Sequence, residues 1–132
     1  MYNGYRIKEV GKPAIYLADR GMKRHITDPN TYNRIFKNRD GILAFRSLYT
    51  IQNGRSIDQD MRLVRFEKGS ELYFLDKDAM GKPMKRWITS LSILNKYVFH
   101  TKWISYSLNT KLHNLNNLKK YNEVFRYTVF KK

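Results

Sequence analysis

Apolar and polar residues alternate along this 132-residue chain in short runs, and the runs come in the same order twice. Residues 6–10 and 61–67 have the pattern of first strands, each followed by a glycine-containing turn, Gly11-Lys-Pro13 or Lys68-Gly-Ser70. Residues 14–18 and 71–75 follow as second strands, apolar on both faces as a central strand should be. Residues 22–27 and 84–89 supply third strands. Asp28-Pro29 then predicts a helix start, the carboxylate suited to capping and the proline to the first helical position. Tyr32, Ile35 and Phe36 form the apolar stripe of that helix. In the second half Thr89 or Ser90 is the predicted cap, with Ile93, Leu94, Tyr97 and Val98 on one face.

The predicted fold is therefore α+β: two tandem repeats of a three-stranded antiparallel unit plus short helix, over residues 5–40 and 61–100, in one domain spanning 1–132. Residues 42–57 read as a connector with strand character, including a strand over 47–51 and a turn at Asn53-Gly54. Residues 103–108 alternate like a strand. Residues 109–125 have a helical stripe of Leu112, Leu115, Leu118, Tyr121 and Phe125, and 126–130 could close the sheet. Residues 101–132 thus form a basic C-terminal extension, expected to pack on the second repeat.

Strand periodicity sorts the repeated block into two faces. Met22, Arg24 and Ile26 point one way and Lys23, His25 and Thr27 the other; Met84, Arg86 and Ile88 likewise oppose Lys85, Trp87 and Thr89. With methionine and isoleucine inward, Arg24 and Arg86 need buried partners, either the recurring Asp19 and Asp76 or helix C-terminal carbonyls. The outward pairs, Lys23 with His25 and Lys85 with Trp87, set a cation beside a ring, an arrangement suited to phosphate plus base or to anionic sugar plus stacking. A second reading of Trp87 packs it beneath the C-terminal helix.

The recurrence can be traced residue by residue. Tyr16-Leu-Ala-Asp19 is answered by Tyr73-Phe-Leu-Asp76, and Met22-Lys-Arg-His-Ile-Thr27 by Met84-Lys-Arg-Trp-Ile-Thr89, with a linking turn five residues longer in the second copy. These strings, together with Met61-Arg-Leu-Val-Arg65, resemble the repeats of bacterial and bacteriophage surface proteins and phage cell-wall lysins. Such repeats have a leucine-valine-arginine strand, a valine-tyrosine-leucine-isoleucine strand, a glycine-lysine-arginine turn and an isoleucine-proline-serine step into a helix. The resemblance covers about two thirds of the chain. It implies a non-catalytic accessory module beside cell-wall or virion functions, and it carries no ligand residues over.

Charge adds a partner class. The net charge is +15, and residues 79–132 hold eleven lysines or arginines against Glu123 alone, whereas residues 1–78 hold fifteen against ten acids. A field of that size concentrates polyanions such as nucleic acid, anionic cell-wall glycan or acidic membrane. Lys96, Lys102, Lys111, Lys119, Lys120 and Arg126 join Lys23, His25, Lys85 and Trp87 as candidate ligand contacts. Three readings follow: a binding or structural module of a phage or surface assembly, holding a polyanionic polymer or partner; a small basic nucleic-acid-binding protein; and an inhibitor of an acidic protein surface.

Catalysis has little to build on. His25, His100 and His113 lack a second ligand at helical metal spacing, and no nucleophile motif or glycine-rich phosphate loop occurs. Asp76-Lys-Asp78-Ala-Met80-Gly81 opens like a calcium loop, but Met80 and Trp87 fall where ligands belong. The reading is accordingly non-enzymatic, without metal or cofactor. With no cysteine, disulfides are excluded. No apolar run reaches a bilayer span, and residues 1–6 show no signal-peptide core, so cytoplasmic synthesis is expected, with possible virion association.

Overall fold

The computed structural model describes residues 3–66, 71–100 and 105–107. It is a mixed α+β structure. Strands β1 (Arg6–Glu9), β2 (Ile15–Asp19) and β3 (Met22–His25) lead into helix α1 (Pro29–Ile35), followed by β4 (Leu43–Phe45) and β5 (Gln52–Asn53). Strands β6 (Arg62–Phe66), β7 (Leu72–Lys77) and β8 (Pro83–Ile88) then lead into α2 (Leu91–Lys96) and β9 (Ser105–Ser107).

Two sheets result, ordered β4-β1-β2-β3-β5 and β8-β7-β6-β9. In each, three antiparallel strands are extended by a parallel strand that follows the helix: β4 lies on β1 and β9 on β6. The registers correspond, with Tyr16 opposite His25 where Tyr73 faces Trp87, and Leu17 opposite Arg24 where Phe74 faces Arg86. As their apolar composition on both faces predicts, β2 and β7 are interior strands.

Both helices start where their caps predict. Asp28 accepts from the Thr31 amide at 2.8 Å with Pro29 at the first position, and Ser90 accepts from the Ile93 amide at 3.3 Å. The end of α2 is less expected. Val98 adopts φ 56°, with the Phe99 amide reaching back to the Leu94 carbonyl and the Val98 amide to that of Asn95, a cap geometry that normally takes glycine. A β-branched residue is strained there, by about 1–2 kcal/mol. Val98→Gly should therefore raise stability by about 1 kcal/mol once lost burial is counted, measurable as a higher urea midpoint with an unchanged m-value.

A single apolar cluster joins the halves, drawing Leu17, Tyr32, Ile35 and Phe36 from the first and Leu63, Phe74, Ile93, Tyr97 and Phe99 from the second. At its centre Phe36 and Phe99 form an antiparallel bridge: the Lys37 amide donates to Val98 O and the His100 amide to Ile35 O, each at 2.7 Å. The two exchanged bonds are related by an approximate two-fold axis. The outer face of the first sheet is covered differently, by Leu48 and Ile51 folding over Ile7, Tyr16 and Ala18, with Leu43 and Phe45 of β4 beside them in the same sheet.

That cover corrects two expectations. Residues 47–51 form a turn and not a strand, closed by the Ile51 amide on Leu48 O at 3.1 Å, because its job is to reverse the chain over the sheet. Asn53 belongs to β5, parallel to β3, and does not open a hairpin. The predicted 103–108 strand is described over 105–107; the Lys68-Gly-Ser70 turn, the 109–125 helix and the 126–130 strand lie outside the described residues.

Candidate functional site

Two short motifs, Tyr-x-x-Asp at the end of a second strand and Lys-Arg in the third, bring four charges together at the interface of the halves. Arg24 Nη1 donates to Asp19 Oδ2 at 3.0 Å, and Nη1 and Nη2 grip Asp76 at 2.9 and 2.7 Å. Arg86 mirrors this, with Nη1 on Asp76 Oδ2 at 3.0 Å and Nη1 and Nη2 on Asp19 at 2.6 and 3.0 Å. Each arginine thus binds the aspartate of its own half by one hydrogen bond and that of the other half by two. All four side chains are buried. The inward arginines are paired with Asp19 and Asp76, one of the two options that strand periodicity leaves open.

Burial alone would raise both carboxyls, but the arginines prevail. Arg86 and then Arg24 hold Asp19 far below the usual carboxylate range, and Arg24 chiefly lowers Asp76. Burial depresses Arg86, and Asp19 and Asp76 together raise it above its ordinary value. Tyr97 is raised by burial and by Asp19, so it contributes no charge at neutral pH.

The outward faces are not open. Lys23 Nζ donates to the carbonyls of Leu48 and Ile51 at 3.2 and 2.5 Å, so it secures the covering turn. Lys85 is only 1% exposed, with Nζ 4.5 Å from the Tyr73 ring centre, and burial lowers its pKa. The expectation that both lysines stand on exposed faces is corrected: alternation assigns a side chain to a face, and other parts of the chain can cover that face. His25 packs on Tyr16 at 5.4 Å, and Trp87 is half-buried opposite Tyr73. Half-buried Lys96 lies over the Tyr5 ring at 5.6 Å and against Gly4. Lys102, Lys111, Lys119, Lys120 and Arg126 lie outside the described residues.

Because Lys23 satisfies two carbonyls, Lys23→Met should cost about 1–3 kcal/mol of stability while leaving polyanion retention within experimental error. Thermal melts and heparin elution on the same preparation check both halves of that statement.

Arg6 is a buried cation that strand patterning does not single out. Its Nη1 reaches Tyr32 Oη at 2.7 Å and Asn38 O at 2.6 Å, and its Nη2 reaches Asp40 O, which pins the loop after α1. The register places it where the second half has Leu63, so comparing the two halves offers no hint of it.

The carboxylates are mostly engaged by the fold itself. Beyond Asp19 and Asp76, Glu9 binds Lys12 at 2.6 Å and the Leu48 amide at 3.0 Å, Asp28 caps α1, Asp60 binds Lys77 at 2.9 Å and Asp78 accepts turn amides. Among the described residues no group of three or more His, Cys, Asp or Glu is placed to hold a metal ion, and no helix is long and apolar enough to cross a membrane.

No protein-family model matches the chain, and comparison with curated proteins and with solved structures gives no match either.

Proposed function

We propose that this chain is a non-enzymatic binding module that holds a polyanionic polymer within a bacteriophage virion or bacterial surface assembly. The observation that carries the reading is the division of charge: the net charge is +15, while most described carboxylates are committed to internal partners. Exposed cations such as Lys37, Arg39, Arg46, Arg55 and Lys82 are left to set the surface field. Lys102, Lys111, Lys119, Lys120 and Arg126 extend the same field in sequence. The repeated strings that resemble surface-protein and lysin modules supply the setting, and we read the two halves as tandem copies of one unit.

Retention is compared on heparin, on duplex DNA and on purified cell-wall polymer across a salt series. Binding to cell-wall polymer and heparin that weakens log-linearly with salt is the expected result. Strong DNA retention with a steep slope and none on cell-wall polymer would replace this reading with nucleic-acid binding.

A further inference from the structure

Immediately outside the buried charge cluster lies a cleft of about 610 Å³ lined by Arg20, Met22, Gly54, Arg55, Asp58 and Lys77, among others. The charges beneath it do not cancel. Asp19 and Asp76 balance Arg24 and Arg86, and Arg20 is a third arginine beside them, its Nε 3.7 Å from Asp19 Oδ2. That oxygen already accepts from Arg24 at 3.0 Å and Arg86 at 2.6 Å. Arg20 Nε is accordingly buried without a hydrogen-bond partner, in a side chain only 26% exposed. A partly buried cation in excess of its counter-charges is costly, and an anion in the adjoining cleft would relieve it.

Backbone conformation points the same way. Arg20 and Gly21 form the two-residue loop between β2 and β3, with φ 53° and 77°. Such a loop favours Asn-Gly, and a left-handed arginine is disfavoured in it. The local backbone therefore does not account for arginine here, whereas its side chain borders the cleft.

Arg55 lines the same cleft and its guanidinium is already oriented. Arg55 Nε donates to Asp78 O at 2.9 Å and Nη2 to Ala79 O at 3.1 Å, which leaves Nη1 unengaged among the described residues. Its own carbonyl holds Arg24 Nε at 2.8 Å, and Gly54 lets the segment close down, since a Cβ there would lie 3.1 Å from both Arg24 Cγ and Met22 Cβ. Lys77 is shared between Asp60 at 2.9 Å and Asp58 at 3.5 Å, so that trio carries one net negative charge against the two positive charges of Arg20 and Arg55.

We propose that this cleft is an oxyanion site in which Arg20 and Arg55 hold one phosphate group, as a free or monoester phosphate or as a phosphodiester. Arginine suits the task because its planar fork matches phosphate oxygens. The site rests on a local charge imbalance and not on the net charge, so it goes beyond the polymer reading and can fail separately from it.

The test is an NMR titration of the intact chain at constant ionic strength, with inorganic phosphate in one arm, dimethyl phosphate in the second and chloride as the control. Saturable amide shifts confined to residues 20–21, 53–56 and 77–79 are expected in at least one phosphate arm. The arm that saturates at lower concentration identifies monoester or diester chemistry. Arg20→Asn keeps the loop favourable while removing the charge, and should weaken binding by about tenfold or more. Arg55→Gln should weaken it in the same direction. Shifts that do not saturate, fall elsewhere, match the chloride control, or persist with unchanged affinity in Arg20→Asn would overturn the proposal. Failure here with retained heparin binding removes only this site, and saturation here without heparin retention removes only the polymer reading.

Discussion

Asp19→Ala will destabilise the protein by about 3–5 kcal/mol, the range for stripping one partner from a buried ion pair. The substitution deprives Arg86 of a two-point grip, Arg24 of one hydrogen bond and Arg20 of its nearest counter-charge, leaving Asp76 alone against three arginines. Asp76→Ala removes the corresponding contacts, two from Arg24 and one from Arg86, but leaves Arg20 beside Asp19, so it should cost less. Arg20→Asn should narrow that difference. Urea unfolding at pH 7 gives the two values. The double variant Asp19→Ala, Arg86→Met should cost clearly less than the sum of its parts, because the partners interact directly.

The same cluster sets the acid limit. Asp19 and Asp76 titrate below their unfolded values, so their contribution is present above the unfolded pKa of about 3.9 and is lost as pH falls toward the folded ones. From these two groups, stability should be level between about pH 5 and 8 and decline below about pH 4. Asp76→Asn, which cannot take up that proton, should flatten the decline while lowering the plateau.

Much of this arrangement can be read from residue order alone. Asp28-Pro29 and Ser90 mark the helix starts because capping is local chemistry. Strand alternation turns Arg24 and Arg86 inward, and recurrence makes Asp19 and Asp76 one of two candidate partner sets, beside helix C-terminal carbonyls. What alternation leaves out is the cover. Lys23 lies on the face it predicts, yet the 47–51 turn folds over that face and offers it two carbonyls. Lys85, predicted to be exposed, is buried, its ammonium 4.5 Å from the Tyr73 ring centre. Arg6 is invisible for another reason, since two of its partners are backbone carbonyls more than thirty residues away and the third is the Tyr32 hydroxyl 26 residues away, a set that no local motif encodes. The parallel pairings of β4 with β1 and β5 with β3 are likewise long-range closures that local patterns do not specify. Arg20 stands between these cases: its place before Gly21 predicts a tight turn, but only the assembled charges show that it is one cation too many.

Phe99→Ala will cost about 3–5 kcal/mol, the usual penalty for emptying a buried phenylalanine site. Phe99 is 3% exposed and is stacked on three rings, Phe36 at 6.0 Å, Phe74 at 5.8 Å and Tyr97 at 5.3 Å, so no neighbour can fill the gap without breaking another contact. Phe36→Ala should cost a similar amount, and the double variant less than the sum, because both deletions enlarge one cavity. Unlike Asp19→Ala, neither change should alter the shape of the pH profile. The pair also decides whether the halves fold as one unit. The Phe36–Phe99 bridge and the Asp-Arg cluster both cross between them, so each half is incomplete without the other. Unfolding followed by tryptophan fluorescence, with both tryptophans in the second half, should therefore coincide with unfolding followed by far-ultraviolet circular dichroism. In Phe99→Ala both curves should move together to lower denaturant. If fluorescence alone moved, the second half would be melting independently, and the shared core would not couple the two sheets.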